Sequence, residues 1–151
     1  HFTTKEKLAA AAMVQVLERA LAFIDSLAAN PDAPAVQQLR AVARWTMQVQ
    51  LAGEMPSLPA QNSSLRTALM ADKAYLDRLL QVSERLGAWI VAAQEAGALN
   101  RRLPSELILY TLFARACDPV LPLLSSTGKY SDEQIIDLLL STCFDGLVGP
   151  A

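Results

Sequence analysis

The chain is predicted to be all-α, and three observations carry that expectation. Apolar residues recur three and four positions apart along almost its whole length. β-Branched and aromatic residues nowhere sustain an alternation of period two, so strand signals are nearly missing. Proline, glycine and polar capping residues cut the pattern into about six helices. With 151 residues the chain fits one domain around a continuous core. The expected architecture is an antiparallel helical bundle.

Thr3 followed by Glu6 makes a capping box, in which the hydroxyl accepts an orphan N–H and the carboxylate reaches back. The helix it starts carries Met13, Leu17, Ala20, Ile24 and Leu27 at 4-3-4-3 spacing, a seam for packing on another helix. Asn30-Pro31-Asp32 ends it. A second helix starts near Pro34, where a first-turn N–H would lack a partner anyway. It runs through Leu39, Val42, Trp45, Thr46 and Val49 to about Gly53. Met55 to Asn62 holds two prolines and no charge, a linker whose Met and Leu favour partial inward packing.

A short helix is expected from Ser64 to Ala71, then the longest from about Asp72 to Ala96. Leu76, Leu79, Leu80, Ser83, Leu86, Ile90 and Ala93 line one side of it, and Asp77, Gln81, Glu84 and Arg85 hold the other. Gly97 closes it, free to adopt the left-handed conformation. Pro104 opens the next helix, Leu107 to about Leu124. Pro119 and Pro122 in its second half predict a kink or break near Asp118. Ser131 to Gln134 is a second capping box, with acids where the helix dipole favours them. The last helix runs to about Val148, and Ile135, Ile136, Leu138, Leu139, Leu140, Cys143, Phe144 and Leu147 cover most of its circumference. A helix of that kind is buried on two sides, one against its own core and one against another molecule.

Composition agrees. Hydrophobic residues make up 52% and charged ones 19%, with mean hydropathy +0.24, so the apolar surplus needs a membrane, a partner or an internal cavity. Charge or proline interrupts each apolar stretch before the roughly 18 to 20 residues of a spanning helix, which argues against the membrane. Net charge is −2, so no global positive field draws the chain to nucleic acid, and any action on DNA needs residues outside it. Cys117 and Cys143 sit in apolar periodic segments and read as buried thiols of a reducing, cytoplasmic compartment. No signal-peptide pattern is present, and the first residues read as the tail of something longer.

Catalytic signals are lacking. The one histidine is His1, and no metal-ligand spacing, nucleophile turn or glycine-rich phosphate loop occurs. Glu54, Glu95 and Asp118 are isolated carboxylates. No enzyme activity, cofactor or metal is expected.

His1-Phe2-Thr3-Thr4-Lys5-Glu6-Lys7-Leu8 resembles the segment that ends the helix-turn-helix of tetracycline-repressor (TetR) family regulators and starts their first sensor helix. Gln94 to Leu99 followed by Pro104-Ser105-Glu106 is similar to that family's junction into its last two helices. Leu138 to Leu147 is similar to its final helix with a terminal glycine. The departure is large, because nearly all of the helix-turn-helix lies outside residues 1–151. The resemblance implies an effector-binding and dimerisation domain over 1–151, with residues 1–8 the tail of a DNA-binding head. It implies a homodimer joined by a four-helix bundle from the last two helices of each subunit, and a small-molecule cavity among the middle helices. Effector binding there would release operator DNA. Phe2 would plug the head against the first helix, and Lys5 would meet a DNA phosphate.

From that layout the expected cavity residues are Trp45, Gln48, Met55, Leu86, Trp89, Tyr110 and Phe113. The expected dimer-interface residues are Leu121, Ile136, Leu139, Leu140, Cys143, Phe144 and Leu147. Plainer roles stand beside these. Each tryptophan also fits core packing, Gln48 a surface amide, and Met47, Met55 and Met70 the filling of an irregular core. Tyr110, Phe113 and Cys117 share one helical face, toward either the cavity or the dimer seam. Asp118 is either buried with Arg115 or a cationic effector, or solvent-facing at a kink. Arg101-Arg102 reads as a solvated turn. The expected function is thus small-molecule sensing and homodimerisation, with a small apolar or aromatic effector. The alternative is a helical protein–protein interaction module without an effector.

Overall fold

The computed structural model describes residues 3–56 and 64–149. His1, Phe2 and the linker from residue 57 to 63 lie outside them, so the expected plug by Phe2 does too. The described residues are all-helical, with no strand. In chain order they form α1 (Thr4–Ala28), α2 (Ala35–Leu51), α3 (Ser64–Ala71), α4 (Lys73–Glu95), α5 (Ser105–Phe113), a 3₁₀ turn (Ala114–Cys117), α6 (Val120–Ser126) and α7 (Asp132–Asp145).

α4 is the central element, packed on α1, α2, α3 and α5, while α2 bridges α4 to α7 and to the 3₁₀ turn. Ile24, Leu39, Met47, Leu86, Ile90 and Ile136 are fully buried where these helices meet. The long helix turns a slightly different side inward than its leucines predict. Val82, Leu86, Ile90 and Ala93 are buried, whereas Leu80 is exposed. At 100° per residue Leu80 lies about 120° from Leu86, off the buried arc.

The helix ends are satisfied by side chains. The Thr3 hydroxyl accepts the Glu6 N–H at 3.2 Å, and the Asp72 carboxylate accepts the Tyr75 N–H at 2.9 Å. At α7 both halves of the capping box form: Ser131 Oγ accepts from Gln134 N at 3.2 Å, and Gln134 Oε1 accepts from Ser131 N at 2.8 Å. Ser131→Ala is expected to lower stability by about 1 kcal/mol in urea denaturation; an unchanged midpoint would show that the cap contributes nothing. Gly97, with φ +78°, turns the chain after α4. There Arg101 is more than a solvated residue, because its guanidinium donates to the Gln94 and Glu95 carbonyls at 2.8 and 2.6 Å. A cation is thereby placed on the negative end of the helix dipole. Gln38, buried in α2, does the same neutrally for α1 by donating to the Leu27 carbonyl at 3.0 Å.

The expected break near Asp118 is present. α5 tightens into the 3₁₀ turn, Asp118 adopts an extended conformation, and Pro119 precedes α6. By length and composition alone Ser105–Ser126 would suffice to cross a membrane, contrary to the expectation that no stretch reaches that length. Its division into short pieces is not the continuous hydrogen-bonded helix that spanning requires.

α7 corrects the expectation of an all-round apolar helix. It ends at Asp145, and Gly146 (φ +84°) leads the chain away before Val148. Ile135, Ile136, Leu139 and Leu140 form one buried arc. Asp137, Ser141 and Asp145 share the opposite side with Leu138. Arg44 of α2 clips that flank down, bonding Glu133 at 2.9 Å and Asp137 at 2.5 Å. The apolar surplus surfaces elsewhere, at Leu107 and Tyr110 of α5, Leu123 of α6 and the single Leu138 of α7.

Candidate ligand cavity

An apolar cavity of about 90 Å³ lies between α1, α2, α4 and α5. Its walls follow from the amphipathic stripes of those helices. α1 contributes Met13, Val16, Leu17 and Ala20, which are the packing seam of that helix, and α4 contributes Val82 and Leu86. Leu112 and Phe113 of α5 close one side with Ala116 of the 3₁₀ turn. From α2 come Leu39, Val42, Ala43, Trp45 and Thr46. Small side chains at 20, 43 and 116 leave the space that larger ones would fill.

Among the described residues the lining carries no charged side chain. Its one hydroxyl belongs to Thr46, which donates to the Val42 carbonyl at 2.9 Å and keeps its oxygen lone pairs free to accept. The Trp45 ring stacks on Phe23 at 5.7 Å between centroids, with the Arg19 guanidinium 5.9 Å from its centre. Arg19 also pairs with Glu54 at 3.2 Å, which tethers the segment carrying Met55 to α1 beside the cavity.

Four of the seven expected cavity residues therefore line it: Trp45, Met55, Leu86 and Phe113. Gln48 does not; it is exposed, about 180° around α2 from Leu39. Tyr110 is 63% exposed and points outward with Leu107, because it lies about 160° from the buried Leu112. Trp89 is half-buried against the core but outside the cavity lining. Sequence reasoning missed Thr46 and the whole α1 wall. The usable signal was Leu39, Val42 and Thr46 at 3-4 spacing on one face of α2.

Behind the 3₁₀ turn lies a polar cluster. Asp118 is 5% exposed and pairs with Arg115 at 2.8 Å. Its Oδ1 also accepts the Val120 N–H, and its carbonyl accepts the Gln50 amide at 3.1 Å. Of the two roles open to Asp118, burial against Arg115 is the one found. Cys143 sits nearby, half-buried; burial pushes its thiol up against the pull of Arg115 and Arg40, which leaves it protonated and a poor nucleophile. Cys117, expected to be buried, is exposed on the 3₁₀ turn. Met47 is in the core and Met70 on the surface, so the three central methionines do not cluster. No group of three or more metal-ligating side chains occurs among the described residues.

The interface candidates divide. Leu121, Ile136, Leu139 and Leu140 are buried in the chain's own core and have no surface left to give a partner. Cys143 and Phe144 are half-buried, Phe144 beneath the Arg40 guanidinium at 5.0 Å, and Leu147 is exposed beyond the end of α7. Lys5 stands exposed on the first turn of α1.

The chain matches no family model, no curated protein and no solved structure.

Proposed function

We propose that this chain is a homodimeric small-molecule sensor of the tetracycline-repressor kind, acting in the cytoplasm, in which an apolar effector occupies the cavity and controls DNA-reading heads outside residues 1–151. The observation that carries this reading is the cavity itself: walled by four helices with an opening to the surface, free of charged side chains, and bordered by adaptable Met13 and Met55. The middle turns of α1 supply one wall, so an occupant that spreads the walls moves the helix on which Lys5 and the expected head would ride. Among the described residues no catalytic constellation competes for the site.

The partner surface is the outer side of α5, α6 and α7, carried by Leu107, Tyr110, Leu123 and Leu138. Apolar side chains of that size gain about 1.5–3 kcal/mol each when fully buried, and a second copy offers the same patch for a twofold contact. Sedimentation equilibrium is expected to give a dimer, and Leu107→Asp with Tyr110→Asp a folded monomer. A wild-type chain that stays monomeric at high concentration overturns the homodimer. That outcome favours a helical interaction module whose exposed α5 face serves a different protein, the second reading that the same apolar patch supports.

A further inference from the structure

Resting on the sensing role, we infer that the cavity takes a small uncharged molecule of about one ring, whose single polar group is a hydrogen-bond donor met by the Thr46 hydroxyl oxygen. Three observations converge. The first is size. About 90 Å³ is below the roughly 150 Å³ of an apolar cavity known to hold benzene, so even one ring enters only as Met13 and Met55 shift aside.

The second is charge. No ionised group lines the cavity, and charged side chains beside its walls turn to partners elsewhere: Arg115 to Asp118 at 2.8 Å, Arg19 to Glu54 at 3.2 Å, Arg44 to Glu133 at 2.9 Å and Arg40 to the Phe144 ring at 5.0 Å. A carboxylate or ammonium would lose its hydration and meet no counter-charge in the lining. The third is polarity. Thr46 has its proton committed to the Val42 carbonyl at 2.9 Å, so what the hydroxyl turns to an occupant is an acceptor. A ligand hydroxyl satisfies it, and a pure hydrocarbon leaves it bare.

The test uses Trp45 emission in the full chain carrying Trp89→Phe, so that one indole reports. The probes are phenol, toluene, benzoate and benzylammonium. Phenol is expected to bind saturably and about fivefold tighter than toluene, the worth of one net hydrogen bond. Thr46→Val is expected to erase that preference while toluene still binds. Benzoate and benzylammonium are expected to bind more than about a hundredfold weaker than phenol. Ala43→Leu fills the space and is expected to remove every response; Ala116→Leu serves if the first variant does not fold. An ionised probe binding as well as phenol, or a phenol preference untouched by Thr46→Val, overturns the ligand class and leaves the sensing cavity standing. Silence from all four probes overturns both.

Discussion

Asp118→Ala is expected to lower stability by about 3 kcal/mol in urea denaturation, among the largest single effects in the chain. The carboxylate is 5% exposed and serves two purposes at once. It neutralises Arg115, whose side chain is 20% exposed, and it caps α6 through the Val120 N–H at 2.9 Å. Removal strands a largely buried guanidinium whose Nε already lacks a hydrogen-bond partner, and desolvated charge without compensation is costly. Asp118→Asn keeps an acceptor for the cap and loses only the charge, so its loss is expected to be smaller. Arg115→Met in the Asp118→Asn background is expected to recover part of it, since replacing both members of a buried pair is often near neutral. If the two substitutions prove additive, the pair is not coupled and this account of the α5–α6 break is wrong.

Ile136→Ala and Leu107→Ala are expected to separate two roles that the sequence merges. Ile136 is 1% exposed between α7 and the core, so its truncation leaves a void and costs about 3 kcal/mol in the unfolding of the subunit. Leu107 is 48% exposed; its truncation changes subunit stability by less than about 0.5 kcal/mol and instead weakens self-association. Denaturation and sedimentation of the two variants distinguish these outcomes. An Ile136→Ala chain that unfolds like wild type but no longer dimerises would place that residue back at an interface and remove the core described for α7.

Several elements are legible in the sequence because their causes are local. A hydroxyl, an amide or a carboxylate at a helix start acts on a backbone N–H two or three residues away, so Thr3, Asp72 and Ser131 announce α1, α4 and α7 whatever surrounds them. Gly97 marks the end of α4 by backbone freedom, and the prolines around Asp118 break the α5–α6 run by sterics alone. The cavity is legible only in part. Trp45, Leu86 and Phe113 belong to stripes that any packing of these helices turns inward. Gln48 and Tyr110 sit three residues from cavity residues, yet three residues fall short of a full rotation by about 60°, enough to swing each from wall to surface. Thr46 escapes notice because its 3-4 spacing after Leu39 and Val42 marks a shared face without marking the empty space before it.

Taken alone, the sequence determined helix against strand, the helix starts and the break near Asp118, since these depend on propensity and on groups within four residues. The tertiary structure alone decided which arc of each helix is buried, that α7 spends its apolar residues on its own core, and that small residues from α1, α2 and the 3₁₀ turn leave a common void. Those outcomes depend on how helices distant along the chain are rotated against one another. Apolar spacing names a stripe without naming what lies across from it.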